Sequence, residues 1–214
     1  MPTRLLYLDT SADETLVSWM EDERVIAEEI MPGSRDHGLH IHGLINTLCE
    51  RVQQPLSALH GVVVMNGPGS YTGLRISLSV AKGFCYALHI PLFLLNKLDV
   101  MALASLVELS KGDRIILARA RANEYFYGVY NEEGHATVTP RVVDMNEWQH
   151  QNHPIYTYQT DLVVEMPQLQ HLTISSEMRC LASFKAFFEK KEADLRHSEP
   201  FYLKNVFINK INKL

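Results

Sequence analysis

The 214 residues carry 20 Lys and Arg against 25 Asp and Glu, a formal net charge of −5, and 46% of them are apolar. That length and apolar content suffice for one large domain or two small lobes. The acidic balance, with no block of basic residues, argues against unaided high-affinity binding to nucleic acid, whose phosphates need cations. No apolar tract reaches the ~18 residues of a membrane-spanning helix. The short apolar N-terminus is stopped by Asp9, unlike a signal peptide. Cys49, Cys85 and Cys180 are far apart and lack CxxC spacing, which reads as reduced thiols in a cytoplasmic protein.

Residues 4–9, 16–20 and 25–30 read as three strands separated by short polar turns, an antiparallel meander. Pro32-Gly33 ends it, and Ser34 can cap the next helix. Along that helix Ile41, Leu44, Ile45, Leu48 and Val52 recur at helical spacing. Pro55 and Gly61 bracket the connection to a fourth strand, 62–65. Next comes Asn66-Gly67-Pro68-Gly69-Ser70-Tyr71-Thr72-Gly73-Leu74-Arg75, which opens a second helix. Its buried face is marked by Leu74, Leu78, Ala81, Cys85 and Leu88. A fifth strand at 91–95 leads into a third helix over about 97–110. Three strands followed by alternating helix and strand suggest a mixed sheet with helices packed on it.

In the second half, 114–118 and 125–130 read as a hairpin and 135–143 as another strand. A short helix is expected at 145–151 and short strands at 155–158 and 172–174. Ser175 or Ser176 can cap a last helix running to about 191, with Met178, Leu181, Phe184, Phe187 and Phe188 along it. The lobe boundary falls near Ser110-Lys111-Gly112-Asp113, giving lobes of 1–110 and 111–214, the tail being a candidate to return to the first lobe.

Four constellations could carry chemistry. Asp9-Thr10-Ser11 ends the first strand. A carboxylate beside two hydroxyls can position a water or a metal-bound phosphate, or simply close a hairpin. Gly67, Gly69 and Gly73 are spaced GxGxxxG. That is neither a Walker A loop nor the dinucleotide fingerprint, which is one residue shorter. Strand, glycine loop and helix make either an anion cradle or a fixed corner, and the residues leave both open. Arg75 is a cation at the wrong end of the helix dipole, so it should reach a loop carbonyl, an acid or an anion. His37, His40 and His42 lie beside Asp36, but His42 would point away from the other two on a helix, and no metal is expected there. The aromatic hairpin 124–130 could stack bases; two faces of a half-buried strand account for it as well.

Leu8-Asp9-Thr10-Ser11, Asp36-His37 and the run from Gly67 to Ile76 resemble the TsaB (YeaZ) family of tRNA threonylcarbamoyladenosine biosynthesis proteins. Pro91-Leu92, Arg121-x-x-Glu124-x-Phe126 and Glu199-Pro200-x-Tyr202-Leu203-Lys204-Asn205 are similar too. The resemblance implies an α/β fold of the actin/sugar-kinase/Hsp70 (ASKHA) type, two lobes that are each a mixed sheet with packed helices. It implies a non-catalytic partner of TsaD, the enzyme that transfers threonylcarbamoyl to an adenosine beside the tRNA anticodon. The P-loop ATPase TsaE and the synthase that makes threonylcarbamoyl-adenylate complete the set, tRNA is met only through the complex, and the isolated chain can form a homodimer.

Under this resemblance Asp9, Thr10, Ser11, Gly67, Gly69, Ser70, Thr72 and Arg75 form a vestigial nucleotide or phosphate loop. No cofactor is held tightly, and ATP or ADP is expected only in the assembled complex. The partner face is expected on helices 34–52 and 73–89, through His37, Ile41, Ile45, Leu48, Leu74, Leu78, Ala81 and Cys85. In TsaD the stretch matching Asn96-Lys97-Leu98-Asp99-Val100-Met101 carries two metal-binding histidines. Here Lys97 and Met101 stand in their places; an ammonium repels a divalent metal and a thioether is a poor ligand for hard cations. No metal and no intrinsic activity are therefore expected. Two departures stand out: Gly43 replaces a proline common in the family's first helix, and Arg119 replaces an aspartate of the motif Ile-Asp-Ala-Arg. If that acid faces the interlobe cleft, its reversal tells against a magnesium-nucleotide site. The rival reading is a standalone ATP-dependent phosphotransferase or metallopeptidase of the same superfamily.

Overall fold

The chain builds one five-stranded sheet twice. In the first, β1 (Arg4–Asp9), β2 (Thr15–Glu21), β3 (Arg24–Met31), β4 (Gly61–Met65) and β5 (Leu92–Leu95) lie in the order β3-β2-β1-β4-β5. In the second, β6 (Arg114–Arg121), β7 (Glu124–Tyr130), β8 (Ala136–Asp144), β9 (Ile155–Thr157) and β10 (Leu169–His171) lie in the order β10-β9-β6-β7-β8. Each has an antiparallel meander on one side of its central strand and two parallel strands on the other. Leu5 pairs with Gly61 at the start of β4, and Ile115 with Ile155 at the start of β9. Counting on equally from Leu5 and Ile115, Asp9 and Arg119 hold equivalent places. The structure, a computed structural model, describes residues 1–33, 36–108, 112–121, 123–144, 146 and 153–202.

Helices α1 (His37–Val52), α2 (Tyr71–Leu88), α3 (Lys97–Glu108), α4 (Thr160–Glu165) and α5 (Ser176–Phe188) cover these sheets. Side chains alternate between the faces of a strand. Leu6, Leu8, Trp19, Val62 and Val64 therefore meet Ile41, Ile45 and Leu48 of α1 and Leu78, Ala81 and Cys85 of α2. Leu5, Tyr7, Met20 and Val63 point the other way, onto Cys180, Ala182, Phe184 and Ala186 of α5. β1 and β4 are buried on both faces, which is why they read as unbroken apolar runs.

The two halves exchange helices. α3 follows the first sheet but packs Leu98, Met101 and Ala102 on Ile116, Ala118 and Tyr130 of the second. α5 follows the second sheet and packs on the first. Polar contacts pin both crossings. Arg179 of α5 donates to both carboxylate oxygens of Glu28 on β3, at 3.1 and 3.2 Å. The Tyr130 hydroxyl donates to Asp99 of α3 at 2.8 Å. After α5 the chain stays with the first sheet: the Ala193 amide donates to the Leu92 carbonyl at 2.8 Å, and the Phe201 amide to the Asn66 carbonyl at 3.0 Å. The outer face of the second sheet carries Ile115, Leu117, Tyr125 and Tyr127 against Leu162 of α4.

Several local expectations shift. The strand expected at 172–174 is β10 at Leu169–His171, with the Leu172 amide bonded to the Thr157 carbonyl. Ser175 caps α5, its hydroxyl accepting from the Met178 amide at 3.3 Å, and the helix stops at Phe188. α4 has six residues and no side-chain cap, too short for periodicity to reveal it. Ser34 and the helix expected at 145–151 (Asn146 apart, a turn residue) lie outside the described residues, and α1 has Asp36 at its N-cap. The three cysteines are free, and burial pushes the Cys85 and Cys180 thiols up to about 11. Among the described residues no helix is long and apolar enough to cross a membrane.

Candidate functional site

The turn after β1 and the glycine loop after β4 lock into one another. The Ser70 amide donates to the Ser11 carbonyl at 2.8 Å, and the Thr10 hydroxyl donates to the Gly73 carbonyl at 2.6 Å. A Cβ on Gly69 would overlap the Ser11 carbonyl oxygen, and one on Gly73 the Thr10 carbonyl oxygen. The nearest blocking atom at both positions is a backbone oxygen, so only glycine lets the loop and helix close on the turn. Ser70 then caps α2, its hydroxyl accepting from the Gly73 amide at 3.2 Å. The loop is thus a fixed corner. Gly67, at φ +117°, is buried within it, while Thr72 is exposed on the first turn of α2.

Asp9 accepts three hydrogen bonds from its neighbours. One carboxylate oxygen accepts from the Ser11 amide at 2.8 Å and the Ser11 hydroxyl at 2.6 Å; the other accepts from the Tyr7 hydroxyl at 3.3 Å. Burial and the adjacent Asp9 charge raise the Tyr7 phenol well above its ordinary value, so it stays a neutral donor. Lys97, 5% exposed, brings its ammonium to the Ser11 hydroxyl at 2.5 Å and over the Tyr158 ring, 5.1 Å from its centroid. Charge therefore runs from ammonium through hydroxyl to carboxylate. A divalent ion, which the fold type implies for a nucleotide site, fits poorly here, because a second cation would face the Lys97 ammonium across a few ångströms of protein. Sequence reasoning treated Lys97 only as a poor metal neighbour; a cation in the otherwise mostly apolar stretch 92–102, which also carries Asp99, was the available signal. Asn66 was also missed: it is buried, its amide nitrogen donates to the Glu199 carbonyl at 3.1 Å, and its Oδ1 has no hydrogen-bond partner among the described residues.

Among the described residues Arg75 rests on aromatic rings. Its guanidinium lies 4.2 Å from the Tyr71 ring centroid and donates to the Tyr202 hydroxyl at 2.7 Å, while the two tyrosines stack 4.9 Å apart. Cation–π attraction holds it there. Arg119, equivalent to Asp9 in the second sheet, pairs with Glu165 and with Asp161 at 3.7 Å, both on α4. His37 is buried with its ring nitrogen 2.8 Å from the Thr15 hydroxyl, and His42 is exposed beside Phe84. Among the described residues no three His, Cys, Asp or Glu side chains gather as metal ligands.

The eight residues expected to meet a partner require correction. His37, Ile41, Ile45, Leu48, Leu74, Leu78, Ala81 and Cys85 are each no more than 4% exposed. They are the periodic stripe of each helix, and the chain's own first sheet takes that stripe. What the helices offer outward is a groove between them, lined by Gly38, Ile41 and His42 of α1 and by Tyr71, Thr72, Arg75, Ile76, Ser79 and Val80 of α2, so that of the eight only Ile41 borders it. Exposed Gly43 and Gly83 lie in the helix interiors, and among the described residues nothing comes within 4 Å of an added Cβ.

The family model of TsaD, tRNA N6-adenosine threonylcarbamoyltransferase, matches residues 25–204. The tRNA threonylcarbamoyladenosine biosynthesis protein TsaB of Escherichia coli (strain K12) is 25% identical over 224 aligned positions, covering 94% of this chain and 95% of that protein. TsaB of Bacillus subtilis (strain 168) is 34% identical over 102 residues, covering 46% of this chain and 43% of that protein. The tRNA N6-adenosine threonylcarbamoyltransferase of Geotalea daltonii is 29% identical, with 58% and 42% covered. The match thus spans less than half the length of the last two relatives. Among solved structures, YeaZ from Pseudomonas aeruginosa superposes with a TM-score of 0.75 at 23% identity, over 94% of this chain and all of that one, a likeness of fold.

Proposed function

The chain belongs to the tRNA N6-adenosine threonylcarbamoyltransferase family, and from that premise we propose that it is a non-catalytic subunit in the threonylcarbamoyladenosine modification of tRNA. Its partner is the transferase TsaD, and both work in the cytoplasm. The groove between α1 and α2 carries this reading. An exposed glycine in a helix interior destabilises it by about 1 kcal/mol relative to alanine, and nothing in the chain's own packing requires Gly43 or Gly83. Small residues on an open helix face suit the close approach of another helix pair. Two helices from each chain would bury roughly 1,200–2,000 Å² in all, the span of a stable specific interface. The neutralised Asp9 turn supports a subunit over a standalone phosphotransferase or metallopeptidase.

TsaE and tRNA are then met by the assembled pair, and any ATP or ADP is bound there. Ser79→Arg in the groove should abolish co-purification with TsaD and the threonylcarbamoylation that depends on this chain. Val164→Arg, on exposed α4, should change neither. Undiminished capture by both Ser79→Arg and Gly83→Arg would remove the groove from the interface. Leu48→Asp or Leu78→Asp cannot serve as this test, because each buries a charge in the chain's own core. Without TsaD the same groove can seat a second copy, which sedimentation of wild type against Ser79→Arg measures.

A further inference from the structure

The junction of the two sheets contains a site for an ammonium group, and we infer that Lys97 fills it from within, as a positioning residue that sets the glycine corner without metal or nucleotide. Three segments build the site. The β1–β2 turn supplies the Ser11 hydroxyl as acceptor, backed by the Asp9 carboxylate to which that hydroxyl donates. The residue after β9 supplies the Tyr158 ring as a π-face. α3 supplies the cation, and its first residue is held in place by the Lys97 amide donating to the Gly67 carbonyl at 2.7 Å. A buried ammonium needs hydrogen-bond acceptors and counter-charge; the relayed carboxylate and the ring provide them from both sheets.

The consequence reaches α2. Ser11, which binds the ammonium through its hydroxyl, also holds the Ser70 amide through its carbonyl, and the neighbouring Thr10 holds the Gly73 carbonyl. Those contacts set the start of α2, and Tyr71 and Arg75 at that start line the groove. The ammonium thus positions the docking face. That last link rests on the subunit reading; the ammonium site itself does not.

The test uses the full chain alone, so its failure is separable from a failure of partner binding. Lys97→Ala removes the equivalent of an n-propylammonium ion. Hydrogen exchange at the Ser11, Ser70 and Gly73 amides, all bonded within this corner, should accelerate roughly tenfold or more. Millimolar n-propylammonium should restore protection in the variant, n-propanol should not, and wild type should respond to neither. Unchanged exchange in Lys97→Ala, or equal rescue by n-propanol, would overturn the assignment, since packing alone would then explain the residue. If the alanine variant does not fold, Lys97→Met keeps the apolar stem: faster exchange at the same three amides supports the site, and wild-type exchange refutes it.

Discussion

The two sheets share a strand order and almost nothing else. In the first, β4 and β5 are joined by the 18-residue α2, capped by Ser70 and started by a glycine corner. In the second, the same connection is the six-residue α4 without a side-chain cap. The equivalent ends of the central strands carry opposite charges, Asp9 and Arg119. Asp9 is enclosed by Ser11, Tyr7 and the Lys97 relay; Arg119 reaches partly exposed acids on α4. The common topology is therefore a scaffold that short turns and alternating apolar strands suffice to specify. What makes one half a candidate docking unit lies in its connections, which the other half has shortened.

The largest expected break in this contrast comes at Gly73. Gly73→Val sets a branched side chain against the Thr10 carbonyl and should remove about 4 kcal/mol or more, enough to prevent folding, as urea denaturation would show. Leu48→Ala empties part of the α1 stripe and should lose about 3 kcal/mol in the same measurement. Gly83→Ala goes the other way: filling open space on α2 should stabilise the isolated chain by about 0.8 kcal/mol while weakening capture of TsaD. The sharpest contrast is within α2, where one glycine is demanded by the chain itself and another by nothing in it. Arg119→Asp restores matching charges at the two strand ends and should lose less than about 1 kcal/mol, because its partners are solvent-screened. Titration calorimetry with magnesium-ATP should give the same outcome for that variant as for wild type, because Lys97 remains beside Ser11 in both.

Much of the fold was legible because its signals are local. The meander of β1 to β3, the run from β4 through α2 to α3, and the Ser175 cap all follow from alternation, helical spacing and turn chemistry. α4 was not, having too few residues to display a period. The site was legible as a motif and misread as a surface. The apolar stripes of α1 and α2 were found correctly, but which neighbour takes them is not a local property, and the first sheet does.

Sequence by itself determined the longer elements, the glycine motif and the family resemblance, since each is written in contiguous residues. Only the tertiary structure decided that Lys97 meets Ser11 across 86 positions of chain, that α3 and α5 change sheets, and that Arg75 rests on two tyrosines. Those outcomes depend on how two packed sheets sit against each other. A buried charge takes whatever acceptor that packing brings within reach, and no spacing along the chain encodes it.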